Sequence, residues 1–142
     1  SKQKSVKSTT QKNIYIIATN VFVNCPDIIS KIDEHYQVVM SAKVIDELDK
    51  LKIKLDAANK KNVETALRLI NKAMDKPNVS MELSDPDLLP NDFNKKSPDN
   101  NILTVALKFK NENPILLTSD NGLQVKAKGL RIATITLKDF LN

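Results

Sequence analysis

Three acidic residues stand at positions from which their carboxylates could meet at one metal ion. They are Glu47, Asp99 and Asp120, each beside a run of apolar residues. Clustered carboxylates raise one another's pKa unless a cation neutralises them. Mg²⁺ and Mn²⁺ prefer such oxygen ligands, and either ion can make a water acidic enough to attack a phosphodiester. The three acids therefore indicate a hard-cation site, provided that the fold brings them together.

Short apolar runs and amphipathic segments alternate along the chain and supply the elements that would position these acids. Helical periodicity predicts helices at 21–34, after a cap at Ser41, at 56–75, from Ser97-Pro98, at 121–128 and at 137–141. Apolar runs predict strands at 14–17, 37–40, 79–83, 115–117 and 132–134. Gly129 is expected to end its helix with a positive φ. This alternation favours an α/β fold, a three-layer α/β/α sandwich around a mostly parallel sheet.

Two positions, Ala18 and Asp120, directly follow predicted strands. Ligands of open parallel sheets bind at the carboxyl ends of the strands, so both positions are expected at the site edge. Asp99 in a first helical turn and Glu47 beside a buried helical face would point toward the same edge. Taken singly, each acid also has a structural explanation, which is weakest for Glu47 because Asp46 and Asp49 already supply solvent-facing acids beside it. The helix dipole favours an acid at Asp99 without any metal. Asp120 could be no more than the cap of the 121–128 helix.

Composition limits the other possibilities. With 142 residues, the chain is one domain long, and we expect a basic disordered linker or tail at 1–12 before a folded domain at 13–142. Cys25 and His35 are the single residues of their types, which argues against a zinc site. A lone cysteine and no apolar span of membrane length favour a cytoplasmic protein without a membrane partner. The net charge of +5 suits a polyanion partner, although a lysine-biased surface explains it equally well.

Four segments resemble the conserved motifs of PIN domains, in the family's order. Segment 16–22 resembles their opening strand, in which an aspartate precedes Thr-Asn-Val. Segment 39–52 is similar to the stretch that carries their glutamate, and 98–103 and 116–127 match the two remaining acidic motifs. The resemblance covers about residues 13–135. It is closest to the PIN domains of PhoH-like proteins, with VapC-type toxins more distant.

The resemblance implies a metal-dependent endoribonuclease that uses Mg²⁺ or Mn²⁺. Its metal-binding and catalytic residues would be Glu47, Asp99 and Asp120. Polar neighbours would support the acids, namely Thr19, Asn20, Thr118 and Asn121. The departure from the family is Ala18, which stands where PIN domains carry a central aspartate ligand. We therefore expect weakened metal binding and a weak or inactive chain.

Two explanations of Ala18 stay open. The alanine is either a substitution that disables an active nuclease, or a natural feature of a catalytically dead PIN-like module that binds RNA or a protein. RNA is the expected partner in the first case. A cognate inhibitor, a larger parent protein and a homo-oligomer are all compatible with the resemblance.

Basic residues outside the acidic motifs are candidates for RNA contacts. Four of them recur at intervals of seven, seven and four, which predicts a stripe opposite the apolar face of the 56–75 helix: Lys54, Lys61, Arg68 and Lys72. Lys126 and Lys128 follow Asp120 and are further candidates. A solvated helix face explains the same pattern.

Overall fold

A five-stranded parallel sheet organises the computed structural model, which describes residues 12–54 and 56–142. The strands are β1 (Asn13–Ile17), β2 (Gln37–Ser41), β3 (Val79–Glu82), β4 (Asn113–Leu117) and β5 (Ala133–Ile135). Their order across the sheet is β3-β2-β1-β4-β5. The predicted α/β/α fold is confirmed, with the last strand one residue later than expected. The predicted tail at 1–12 lies, apart from Lys12, outside the described residues.

The two central strands are buried on both faces, as all-parallel sheets require. All five residues of β1 and all five of β4 are buried. Tyr15 in β1 packs edge-on against Tyr36 and Phe140, with ring centroids 5.9 and 5.5 Å away. Its hydroxyl accepts a hydrogen bond of 3.2 Å from the Asn13 side chain, so that the buried phenol keeps a polar partner.

Six helices cover the sheet in the described part of the chain. They are α1 (Thr19–Asn24), α2 (Ala42–Lys54), α3 (Ala57–Ala73), α4 (Pro98–Lys108), α5 (Asn121–Gly129) and α6 (Leu137–Leu141). Side-chain caps start two of the longest, α3 and α4, and the sequence predicted the one at Ser97. Asp56 accepts from the Asn59 N–H at 2.9 Å, and Ser97 accepts from the Asn100 N–H at 3.3 Å. None of these helices has the combination of length and apolarity that a membrane crossing requires.

The helix predicted over 21–34 was wrong. Helix α1 ends at Asn24, and after a break the chain forms only a 3-10 turn at Ile28–Lys31. Pro26 explains the break, because proline lacks a backbone N–H and forces the preceding residue out of the helical region. Cys25 accordingly has φ −144° and ψ 79°.

The positive φ predicted for Gly129 was also wrong. No described glycine has a positive φ, whereas Arg131 has φ 65°. The Ile132 N–H donates to the Ala127 carbonyl at 2.8 Å and the Arg131 N–H to the Lys128 carbonyl at 3.0 Å, which is a Schellman stop with arginine in the left-handed position. Ile132 is buried, so its packing fixes where the helix unwinds.

The strand order contains a switch point between β1 and β4. From β1 the chain moves outward through β2 to β3, then returns to the other side of β1 to form β4 and β5. In open parallel sheets, ligands bind at the carboxyl ends of the two strands that flank such a switch. The residues that follow β1 and β4 are Ala18 and Thr118, so the functional site is expected beside them.

Candidate active site

Ala18 lies between the carboxyl ends of the two central strands. Its N–H donates to the Leu117 carbonyl at 2.9 Å, which joins the end of β1 to the end of β4. The residue is 1% exposed and precedes α1, but its side chain makes no capping hydrogen bond. Position 18 is therefore central to the switch point, and an apolar methyl group occupies it.

Asn20 and Thr118 tie together the two loops that leave these strands. The Asn20 amide donates to Thr118 Oγ1 at 3.2 Å and its Oδ1 accepts from the Ser119 N–H at 3.1 Å. The same Thr118 hydroxyl accepts from the Asp120 N–H at 3.2 Å. Thr118 is fully buried, so these bonds fix the loop that carries Asp120.

A cavity of about 460 Å³ opens beside this switch point, and Glu47 and Asp99 both line it. Glu47 reaches it from α2 and accepts a 2.7 Å hydrogen bond from the Thr19 hydroxyl. Asp99 reaches it from the first turn of α4. Two of the three predicted acids thus face one space from different helices. We call this space the acidic cavity. The other residues that line it are Thr19, Asn20, Val23, Asn24, Lys50, Leu51 and Lys54.

Asp120 lies beside the acidic cavity and does not line it. It is the N-cap of α5, where its Oδ1 accepts from the Leu123 N–H at 2.7 Å. The capping role considered from the sequence is therefore present. Its charge still reaches Asp99: burial first, and then the negative charge of Asp120, raise the pKa of the Asp99 carboxyl above its usual range.

Lys126 acts against this shift. Its ammonium group lowers the pKa of Asp99, and it donates a 2.8 Å hydrogen bond to Asn100 Oδ1 at the start of α4. The lysine is half-buried and bridges α5 to α4. Of the six basic candidates, Lys126 interacts with Asp99, and Lys54 lines the same cavity as Glu47 and Asp99.

The acids do not yet form a complete metal site. Within residues 12–54 and 56–142, no group of three or more histidine, cysteine, aspartate or glutamate residues is close enough to hold a metal ion. The donors are nevertheless all carboxylates, which suits a hard cation. Ala18 stands at the switch point next to Thr19, whose hydroxyl donates to Glu47, and its methyl group cannot ligate a metal.

A family model described as PIN domain matches residues 15–138. The chain belongs to the PIN domain family. PIN domains are usually metal-dependent nucleases and generally use Mg²⁺ or Mn²⁺. Among curated proteins, none is significantly similar to the chain.

Solved structures share the PIN fold at low sequence identity. A domain of a functionally unknown protein from Methanocaldococcus jannaschii is 23% identical, with a TM-score of 0.60 over 89% of this chain and 91% of that one. A PilT N-terminus domain protein from Sulfolobus solfataricus is 16% identical, with a TM-score of 0.55 over 90% of each chain. The PIN domain of human SMG5 is 14% identical, with a TM-score of 0.56 over 89% of this chain and 96% of that one.

The basic stripe predicted opposite the apolar face of the 56–75 helix was wrong in one member, Lys54, which belongs to another helix. Lys54 ends α2 and lines the acidic cavity, whereas the other three residues lie on α3, which begins only at Ala57. Lys61 and Arg68 are exposed on α3. Lys72 lines a separate cavity of about 180 Å³ together with Pro26. Asp56 caps α3 and so separates the two helices.

Two predicted residues lie at the margin. Asn121 is exposed at the start of α5 and is absent from the described lining of the acidic cavity, and Lys128 is exposed near the end of the same helix. Neither position strengthens the role that the sequence suggested.

Sequence reasoning missed Asn100 and Asn101, which are 2% and 7% exposed inside α4. The Asn100 amide donates to the Asn94 carbonyl at 2.9 Å, and the Asn101 amide donates to the carbonyls of Lys95 and Ser97 at 3.1 and 2.9 Å. Two adjacent asparagines next to an apolar helical face are poor helix formers, and that was the available signal. They fasten the preceding loop to the start of α4.

Proposed function

We propose that this PIN domain is the framework of a metal-dependent endoribonuclease whose Mg²⁺ or Mn²⁺ site consists of Glu47, Asp99, Asp120 and an aspartate at position 18. With Ala18, the chain is weak or inactive in cleavage. The observation that carries the proposal is the convergence of Glu47 and Asp99 on one cavity at the switch point.

The charges in the acidic cavity favour a cation. Asp99 is held in a half-buried place where burial and Asp120 both raise its pKa, so the ionised form is disfavoured there. A divalent cation would offset that cost, since it attracts each carboxylate more strongly than the carboxylates repel one another. When bound, such a cation would make a water molecule more acidic and would offset the negative charge on the leaving oxygen.

The remaining residues of the site have positioning roles in this proposal. The Thr19 hydroxyl holds Glu47 Oε1, which fixes the orientation of one carboxylate. Asn20 and Thr118 hold the loop that carries Asp120. Second interactions of this kind orient metal ligands in other proteins, and their removal typically lowers metal affinity.

Two lysines lie beside the acids, where their positive charge would attract a phosphodiester. Lys54 lines the cavity at the end of α2, and Lys126 lies next to Asp99 on the α5 side. Their ammonium groups would draw the RNA backbone toward the carboxylates. RNA is accordingly the proposed substrate.

An endonuclease assay tests the proposal. The chain, its Ala18→Asp variant and its Ala18→Asn variant would be incubated with structured and single-stranded RNAs in Mn²⁺, with and without EDTA. Asparagine matches aspartate in size and lacks its charge, so Ala18→Asn separates the carboxylate from its volume. Glu47→Gln in the Ala18→Asp background tests a second acid.

We expect cleavage by Ala18→Asp alone, abolished by EDTA and by the added Glu47→Gln. Removal of one ligand or acid of such a site commonly lowers kcat by two or more orders of magnitude. Absence of cleavage by Ala18→Asp, or equal cleavage by Ala18→Asp and Ala18→Asn, would contradict the proposed chemistry.

One observation favours a second function. The described acids form no metal-binding group, while the cavity and its hydrogen-bonded loops are complete. A catalytically dead PIN module that binds RNA or a protein partner would look the same. Binding of RNA by the Ala18→Asp variant without cleavage in any metal would select this alternative.

A further inference from the structure

A second cavity, of about 520 Å³, opens at the other end of the exposed face of α2. Three lysines line it: Lys43 from the first turn of α2, and Lys95 and Lys96 from the loop before α4. We call it the lysine cavity. None of its residues lines the acidic cavity, although four of them lie in two of the PIN-like segments of the sequence: Ala42, Lys43, Asp46 and Asn101.

The lysine cavity carries excess positive charge. The one acid that lines it, Asp46, forms an ion pair with Lys50 at 3.2 Å. Across the described residues, no ion pair includes Lys43, Lys95 or Lys96. Three like charges in one recess repel one another unless an anion joins them, which makes the recess suited to a phosphate group.

The loop that carries two of these lysines is fixed in advance. The Asn101 amide donates to the carbonyls of Lys95 and Ser97, and the Asn100 amide donates to the Asn94 carbonyl. The Lys96 N–H donates to Asn94 Oδ1 at 2.9 Å. Since both asparagines that hold the loop are buried, the ordering cost of the backbone is met in folding and need not be met on binding.

The two cavities share the same helices. Lys43 in the lysine cavity and Glu47 in the acidic cavity are four residues apart on α2, or about 6 Å along the helix axis. On α4, Asp99 lines the acidic cavity and Asn101, two residues later, lines the lysine cavity. The phosphates of one strand of a regular nucleic-acid helix advance about 3.4 Å per nucleotide along the axis, so about 6 Å corresponds to roughly one to two nucleotides.

We propose that the lysine cavity is a phosphate subsite, in which Lys43, Lys95 and Lys96 bind a backbone phosphate of an RNA strand one or two nucleotides from the acidic cavity. The inference rests on the proposed function for its choice of RNA. It assigns the strand a path along α2, from the lysine cavity to the acids. It also gives Asn100 and Asn101 a purpose, which is to hold the loop that contacts the phosphate.

The test measures binding in EDTA, where cleavage does not interfere. Fluorescence anisotropy would follow a labelled single-stranded RNA of about 12 nucleotides binding to the chain and to the triple variant Lys43→Ala/Lys95→Ala/Lys96→Ala. The matched control is Lys12→Ala/Lys76→Ala/Lys110→Ala. Those lysines precede strands β1, β3 and β4, at the opposite end of the sheet, and their removal changes the net charge equally. A triple lysine-to-arginine variant of the cavity retains the charge.

We expect the alanine triple of the lysine cavity to weaken RNA binding at least tenfold and to reduce the salt slope by about one, because one phosphate contact is lost. The control should stay within about threefold of the parent, and the arginine triple should retain binding. Equal losses in the cavity variant and the control, or no RNA binding by the parent, would overturn the inference. Urea unfolding of each variant verifies that the fold is intact.

Cleavage by the same alanine triple in the Ala18→Asp background separates the two proposals. A raised KM with an unchanged kcat supports the phosphate subsite. Cleavage with an unchanged KM refutes the subsite and leaves the nuclease proposal standing. RNA binding that depends on the three lysines, with no cleavage by Ala18→Asp, refutes the nuclease proposal and supports the subsite.

Discussion

Replacing Ala18 with aspartate is expected to make the protein less stable without metal and to make its stability depend on Mn²⁺. The new carboxylate would stand at a position that is 1% exposed, next to a region where Asp120 already raises the pKa of Asp99. The substitution therefore adds a like charge near Asp99, whose carboxyl is already costly to ionise. The cost and its reversal by metal are two measurable quantities.

The size of the effect follows from Coulomb's law. At a separation of about 5 Å and an effective dielectric constant of about 20, two carboxylates repel by about 3 kcal/mol. For a domain of this size, each 1 kcal/mol shifts Tm by about 3–4 °C, so Ala18→Asp should melt about 10 °C below the parent in EDTA. Mn²⁺ at a hundred times its Kd restores about 2.7 kcal/mol, which returns Tm close to that of the parent.

Differential scanning fluorimetry or calorimetry at pH 7 would measure these shifts over a series of Mn²⁺ concentrations. Ala18→Asn is the control, because it adds nearly the same volume without charge. We expect Ala18→Asn to show the steric part of the loss and little recovery in Mn²⁺. The reasoning is refuted if Ala18→Asp and Ala18→Asn have the same Tm in EDTA, or if Mn²⁺ raises the Tm of both variants equally.

Two further predictions concern the fold. Arg131→Gly and Gly129→Ala should each stabilise the protein by about 0.5–1 kcal/mol in urea unfolding, because Arg131 has φ 65° and Gly129 lies within the helix; a loss of stability in Gly129→Ala would contradict these conformations. Burial raises the pKa of Tyr15 to about 12, so between about pH 10 and pH 12 only the unfolded chain releases this proton and stability falls as pH rises. Tyr15→Phe should reduce that fall, and an unchanged pH slope would show that another group causes it.

The sheet could be predicted from the sequence because its central strands are buried on both faces. Such strands are continuous apolar runs, as in Tyr15 to Ile17 and Ile115 to Leu117, and a polar residue follows each run closely. Buried helical faces recur at three and four residues, so α3 was also predictable, with Val63, Ala66 and Ile70 on its inner side. These features depend on local patterns.

The errors came from places where tertiary packing or one backbone dihedral decides. The periodic apolar pattern of α1 continues past Pro26, and periodicity alone therefore predicts one long helix. The helix ends at Asn24 because proline has no backbone N–H to continue it. The stop of α5 depends on where Ile132 enters the core, which no local rule contains. The supposed stripe joined Lys54 to residues of α3, although Lys54 precedes the helix start that the sequence predicted at 56 and ends α2.

The candidate site was predictable in its members but not in its geometry. Spacing and motif order selected Glu47, Asp99 and Asp120. The sequence also suggested that Asp120 caps its helix, but it could not show that Asp120 lies outside the lining of the acidic cavity. Nor could the sequence show that Asn100 and Asn101 fasten a lysine-bearing loop, since those hydrogen bonds join side chains to backbone groups several residues earlier. Distances of that kind exist only in the folded chain.

The hydrogen bonds around position 18 make the fold independent of the side chain there. The Ala18 N–H bonds to Leu117 and its carbonyl accepts from the Val21 N–H, while Asn20 joins Thr118, so no bond of this framework uses the side chain at position 18. One substitution at this position can therefore remove or restore the acid without loss of the architecture. On the energetics above, an aspartate there costs stability until metal is bound. The two requirements of the domain are thus separable: its fold needs no side chain at position 18, whereas an acid placed there makes its stability depend on a divalent cation.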